Sequence, residues 1–224
     1  MTNLTFIFTI FDKINNINGW TAYQVGYLYV MVSLSQSLYN LFFSAFVSSP
    51  EYHVKKGNFD IVLIKPVNEL FFIISKTFNQ SEIPNFIINI VILIIILLKL
   101  NILNIIIATA ISFFIAIIGC LIIASFSLII CSFSFKYTEV MMAIKLVTSF
   151  SEVVKYPITI FPRIIQGIVT IIIPFSFISY YPAKALMYDQ KYLYILSIIV
   201  CCITLIISIS VWKHNIKKYS STGT

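Results

Sequence analysis

Charge is what this chain has least of. Asp, Glu, Lys and Arg make up 10% of its 224 residues, against roughly a quarter in soluble globular domains. Hydrophobic residues reach 59% and the mean hydropathy is +0.97. So little polarity cannot cover a water-exposed surface, which excludes a soluble enzyme and leaves an integral membrane protein. Glycine is also sparse, at six residues, and none of the six belongs to the clustered loop that cradles phosphate, so the chain itself is not expected to hydrolyse nucleotide. The four cysteines, Cys120, Cys131, Cys201 and Cys202, all lie inside apolar runs, with neither metal-ligand spacing nor a secreted disulfide pattern; they read as small hydrophobes. His53 and His214 stand in polar stretches without companion ligands. The excess of fifteen basic over eight acidic residues is informative through its placement at the ends of apolar runs, where Lys and Arg orient spans. It does not imply nucleic acid.

What is present is apolar length. The chain has room for about four to six helical crossings in one bundle. Leu4 to Phe11 is too short to span and no basic stretch precedes it, so it is not a signal peptide. It reads either as the outer end of a helix whose beginning is missing or as a segment lying against the membrane. Gly19-Trp20 suits an interface. Full spans are predicted over 22–47, 83–100, 103–133 and 192–212, with a more polar helix over 139–155 as a fifth. The stretch 156–186, YPITIFPRIIQGIVTIIIPFSFISYYPAKAL, is different. Its apolar centre, Ile164 to Ile178, holds only 15 residues and contains Pro174, whereas a span needs roughly 20. Prolines 157, 162, 174 and 182 free several backbone groups, which a membrane tolerates only under protein or water cover. This stretch is predicted to enter the bilayer and turn back. A full crossing would place the basic loop near Lys55 and the basic tail at Lys213, Lys217 and Lys218 on opposite sides, against their shared charge. The expected fold is an all-α membrane protein: a polytopic helical bundle of about five full spans plus a re-entrant helical segment, forming one domain over 1–224.

Polar residues inside apolar helices mark candidate sites. The span 22–47 carries Gln24, Ser33, Ser35, Gln36, Ser37 and Asn40 with Tyr23, Tyr27, Tyr29 and Tyr39; these either pack against neighbouring helices or line a conduit. Lys145, Ser149 and Glu152 stand at i, i+4 and i+7, one stripe of a helix. Two readings stay open for the stripe. It lines a conduit or subunit interface, or Lys145 snorkels to the headgroups and Glu152 pairs with Lys155. In the polar excursion 50–82, Asn58 can cap a helix of about two turns, FDIVLI, which Pro66 ends. Phe59, Val62 and Leu63 share a face, and Asp60 suits the helix dipole. Such a helix either docks on a partner or rests on lipid headgroups.

Taken together, Gly57-Asn58-Phe59-Asp60-Ile61-Val62-Leu63-Ile64-Lys65-Pro66 followed by Leu70-Phe71, Tyr156-Pro157-Ile158 with Phe161-Pro162, Ile173-Pro174-Phe175, and Ser179-Tyr180-Tyr181-Pro182-Ala183 with Leu186 resemble an ABC-2 type transporter permease, in the bacterial branch with a G-x-x-D-x-x-L-x-R-P loop. Gly19-Trp20 and Tyr219 to Gly223 also fit, so the resemblance covers about residue 19 to the C-terminus. It implies a multi-pass permease of the plasma membrane, with a cytoplasmic C-terminus and contacts to membrane lipid, and without catalytic activity of its own. It also implies two partners: an ATP-binding subunit that holds ATP and Mg, and a second permease copy or related permease. By the same resemblance Gly57, Asn58, Phe59, Asp60, Leu63, Lys65 and Pro66 couple to the ATPase. Tyr156, Pro157, Phe161, Pro162, Pro174, Tyr180, Tyr181 and Pro182 form an extracytoplasmic gate, and the cargo is a hydrophobic or amphipathic drug, peptide or lipid-like molecule moved outward. Two features depart from the family pattern. Lys65 replaces an arginine and loses its planar fork, and only the last turns of a first span are seen. The alternatives are an ATP-independent secondary transporter or channel subunit, which often shows paired broken helices where this chain shows one, and a small membrane immunity or regulatory protein.

Overall fold

The structure, a computed structural model, describes residues 9, 11, 16–49, 59–136 and 140–219. Among the described residues the named elements are all helical, and extended chain pairs only in the bridge between Ile17 and Trp20. That bridge turns the chain into α1 (Ala22–Phe43), whose first turn is closed by the Gln24 side chain accepting the Thr21 N–H at 3.0 Å. The span expected to run on to residue 47 is interrupted at Ser44 before α2 (Ala45–Ser49). The cause lies in the chain that returns beside it: Asn79 donates its N–H to the Leu41 carbonyl at 3.1 Å, and Ser44 Oγ donates to the Thr77 carbonyl at 3.2 Å.

Two short helices follow, α3 (Phe59–Leu63) and α4 (Glu69–Ser75). α4 is set by Asn68, whose side chain accepts the Phe71 N–H at 3.2 Å, with Glu69 in the first turn. α5 (Ile83–Lys99) carries Pro84 in its first turn, where a missing N–H costs nothing. A turn with Asn101 in the left-handed region, φ 53°, leads to α6 (Ile105–Ser132), which tightens into a 3-10 turn over Phe133–Phe135. α7 is Met141–Val153, shorter than the predicted 139–155. Its 13 residues rise only about 20 Å, less than the roughly 30 Å of a hydrocarbon core. Last comes α10 (Tyr192–Ile216), one turn longer than predicted.

Among the described residues three helices, 80–99, 105–135 and 192–216, are long and apolar enough to cross a membrane, or four if one bent pair counts as a span. α1 is long enough, at 22 residues, but owes its place to polarity. It is the most enclosed helix of the bundle, with Tyr27, Tyr29 and Tyr39 buried in packing and Tyr23 exposed. Tyr27 Oη lies 2.9 Å from Ser112 Oγ on α6. The serines 35 and 37 spend their hydroxyls on carbonyls of their own helix, at Met31 and Leu34. α5 and α10 instead turn long aliphatic faces outward, as a chain dissolved in lipid can. α10 meets α6 along a stripe of small buried residues, Ser197, Cys201, Thr204 and Ser208, at helical spacing.

The contacts also give directions. Tyr27 faces Ser112, and Ser35 faces Gly119, so α1 and α6 run parallel. Asn215 donates to Ser132 Oγ at 2.9 Å and Trp212 packs on Phe135 at 5.0 Å, so α10 ends where α6 ends. α5 returns antiparallel between α1 and α6. The bundle therefore has a Trp20 end and a Trp212 end.

Candidate functional site

The element between α7 and α10 is broken as its prolines require. A 3-10 turn (Ile158–Ile160) leads through Pro162 into α8 (Arg163–Gly167), a π-helical turn (Ile168–Ile172), a second 3-10 turn (Phe175–Phe177) and α9 (Tyr180–Met187). The two arms meet at 77°. Pro174 explains the break: it cannot donate to Thr170 and its ring would strike that carbonyl. The preceding backbone widens instead, with Ile173 N–H reaching Ile168 O at 2.9 Å.

Both ends of this element lie at the Trp20 end of the bundle. On the way in, the Thr159 carbonyl accepts from Asn18 Nδ2 at 3.2 Å. At its deepest, Phe175 packs edge-on against Phe126 of α6 at 5.5 Å, and Ile178 lies against Gly119. On the way out Tyr180 packs against Trp20 at 5.6 Å and carries Lys184 over its ring at 4.8 Å. Of the predicted gate residues, Pro157, Pro174, Tyr180 and Pro182 are buried, Tyr156, Phe161 and Tyr181 are half-buried, and Pro162 is exposed. Ser179 ties the element to α7 by donating to the buried Val154 carbonyl at 2.6 Å.

The polar stripe of α7 is split by the fold. The buried face of α7 is Ile144, Val147 and Ser151, while Lys145, Ser149 and Glu152 lie on the exposed side. Ser149 Oγ donates to the Lys145 carbonyl of its own helix at 3.0 Å. Glu152 reaches inward. Its carboxylate is 2.7 Å from Lys155 Nζ, the pair expected from spacing, and accepts from Gln36 Nε2 of α1 at 3.1 Å. Gln36 also donates to Ser151 Oγ at 2.6 Å. The Lys155 side chain is only 9% exposed and sits 4.9 Å over the Tyr29 ring, so its charge is compensated on both sides; Glu152, at 47%, opens outward. Such a cluster can hold α7 to α1 while leaving a carboxylate on an open surface. Sequence spacing could not find Gln36, Ser151 or Tyr29 as its partners, because they come from another helix or another face.

At the Trp212 end, α3 differs from the face predicted for it. Phe59 and Val62 turn inward and are buried, so they do not present themselves to a partner; the exposed apolar side chains are Ile61, Leu63 and Ile64. Phe59 is held by three rings, Phe135 at 4.8 Å, Tyr219 at 5.0 Å and Trp212 at 6.4 Å. Burial, and then the neighbouring Asp60 carboxylate, raises the Tyr219 phenol above its ordinary pKa. Lys65 stacks over Phe72 at 4.6 Å, with Lys76 at 4.5 Å from the same ring. Pro66 is exposed after α3. Gly57 and Asn58, and with them the predicted cap, lie outside the described residues, as does the segment before Thr9. No cluster of three or more His, Cys, Asp or Glu side chains suited to a metal occurs among the described residues.

Comparison with known proteins gives one result. A family model described as "ABC-2 family transporter protein" matches residues 1–223. No curated protein and no solved structure matched the chain.

Proposed function

The chain belongs to the ABC-2 family of transporter proteins, and on that footing we propose that it is the permease subunit of an ATP-driven exporter, working as a pair of permeases with separate ATP-binding subunits. ATP and magnesium are held by the partner, and this chain supplies the path and the moving parts. The observation that carries the reading is the arrangement of its two special elements: a short helix exposing Ile61, Leu63 and Ile64 beside Asp60 and Lys65 at one end of the bundle, and a broken proline-rich element at the other.

Charge supports one orientation. Lys65, Lys76, Lys136, Lys213, Lys217 and Lys218 lie around the Trp212 end, against Lys99, Arg163, Lys184 and Lys191 at the other, and this excess supports a cytoplasmic Trp212 end. In that frame α1, α5, α6, the ascending stretch 141–160 and α10 make five crossings of the plasma membrane. The segment 161–187 is then the re-entrant gate on the outer side, sheltered by α1 and α6. Closure of the ATPases presses on α3, and the permease pair rocks between states open to opposite sides. Lys145 and Ser149 with the open side of Glu152, interleaved with exposed Leu146 and Phe150, offer both polar and apolar contact between two copies. That mixture suits an amphipathic or hydrophobic cargo.

The test is purification of the chain in mild detergent from its native membrane, followed by protein identification and an ATPase assay. A stoichiometric ATP-binding subunit is expected. Asp60→Ala and Lys65→Ala are expected to leave insertion and accumulation intact while uncoupling ATP hydrolysis from transport. Recovery of the chain alone, with its loop intact, overturns the reading; coupled transport that survives both substitutions overturns the docking role of α3.

A further inference from the structure

The short helix α3 is followed after five residues by α4, and a helix of five residues cannot transmit force unless something grips it. The grip is aromatic. Phe59 is fully buried among Phe135, Trp212 and Tyr219, and Phe135 in turn packs on Trp212 at 5.0 Å and Tyr219 at 5.9 Å. Edge-to-face rings of this kind add to their burial energy and fix mutual angles. Two of the four rings belong to the end of α10 and the turn after it. Just above them Asn215 bonds Ser132 of α6. From this box α10 runs 25 residues, about 37 Å, to the other end of the bundle. There a four-residue turn, 188–191, joins it directly to α9, the outer arm of the broken element. α9 packs back on α10.

We propose that the aromatic box of Phe59, Phe135, Trp212 and Tyr219 clamps α3 to α10, so that α10 is the rigid lever carrying movement of the docking helix to the outer gate. The inference rests on the permease reading above and goes beyond it by naming the route and the residues that grip it. Movement enters through Phe59, whose ring packs on all three of the others. It leaves through the 188–191 turn. Tyr219 is the positioning residue most open to test, because it is half-buried at the rim of the box while Phe59 and Trp212 lie inside it.

The experiment uses the complex purified with its ATP-binding subunit and reconstituted in vesicles, in a background with the four native cysteines replaced. Ile164→Cys, on the exposed side of α8, reports the gate through its rate of labelling by a membrane-impermeant maleimide, with and without ATP. With Tyr219 present, ATP is expected to change that rate. Tyr219→Ala is expected to retain the ATPase subunit and its hydrolysis yet to reduce the ATP-dependent change about fivefold or more. Tyr219→Phe, which keeps the ring, is expected to preserve it. If Tyr219→Ala fails to accumulate, Tyr219→Leu, which keeps bulk without a ring, is read in its place with the same expectation. An undiminished ATP-dependent change in the Ala or Leu variant overturns the clamp and leaves the permease reading standing. A labelling rate indifferent to ATP with Tyr219 intact overturns both.

Discussion

Gly119→Ala is the sharpest probe of how closely the helices of this bundle approach one another. Gly119 lies in the middle of α6, where α1 and the broken element converge. A Cβ placed there would stand 2.8 Å from Ile178 Cγ2 and 3.1 Å from Ser35 Cβ, and closer still to Ser35 Oγ. Neither neighbour has room to withdraw, since Ser35 and Ile178 are both fully buried. Ser35 Oγ is also committed, donating to the Met31 carbonyl at 2.9 Å. Overpacking of this kind costs about 1 to 3 kcal/mol, while replacing glycine by alanine inside a helix returns up to about 1 kcal/mol. With both obstructing residues enclosed, the cost falls toward the upper end of that range, about 2 to 3 kcal/mol, and the net expectation after a return of about 1 is a loss of about 1 to 2 kcal/mol. At about 2 to 4 °C per kcal/mol for a chain of this size, the apparent Tm in detergent falls by about 2 to 8 °C. The assay is thermal unfolding of purified protein followed by loss of the monodisperse peak. Combining Gly119→Ala with Ser35→Ala removes the nearest obstruction, the hydroxyl, and leaves Ile178 and the Cβ at position 35, so the double variant should regain about 0.5 to 1 kcal/mol relative to the sum of the two single changes. A Gly119→Ala protein as stable as the parent, or more so, would refute the close approach and with it the anchoring of the broken element on α6.

Two other substitutions test the polar contacts around that element. Glu152→Leu leaves the Lys155 ammonium almost enclosed over the Tyr29 ring without its carboxylate; because Glu152 is itself half-exposed, the expected cost is about 1 to 3 kcal/mol, below the range for fully buried pairs. Adding Lys155→Met should recover most of it, and detergent unfolding of the single and double variants decides. Ser179→Ala removes the hydrogen bond to the Val154 carbonyl and should cost about 1 to 2 kcal/mol, read as faster proteolysis of the 156–190 region; unchanged protection would show that the bond holds nothing.

Much of this architecture is legible without coordinates. Scarce charge and long aliphatic runs named the solvent, and the runs at 83–100, 103–133 and 192–212 became α5, α6 and α10 with ends shifted by a few residues. Pro174 and the shortness of the apolar centre announced the broken element, because a proline acts on the backbone immediately before it. Asn68 followed by Glu69 carries the same local start signal for α4.

What local pattern could not supply was the facing of side chains. On α3 the i, i+3 spacing correctly put Phe59 and Val62 together, but whether that face meets a partner or the protein's own rings depends on Phe135, Trp212 and Tyr219, which belong to distant parts of the chain. On α7 the periodicity isolated Lys145, Ser149 and Glu152, yet Gln36, which donates to Glu152, lies 116 positions away. In a membrane chain lipid-facing and protein-facing positions are both aliphatic, so hydropathy does not separate them. The sequence by itself determined that this is a helical membrane protein with one broken element, since length, composition and proline act locally. Only the tertiary structure decided which residues grip one another across the bundle, since that depends on close packing between segments whose separation along the chain carries no signal.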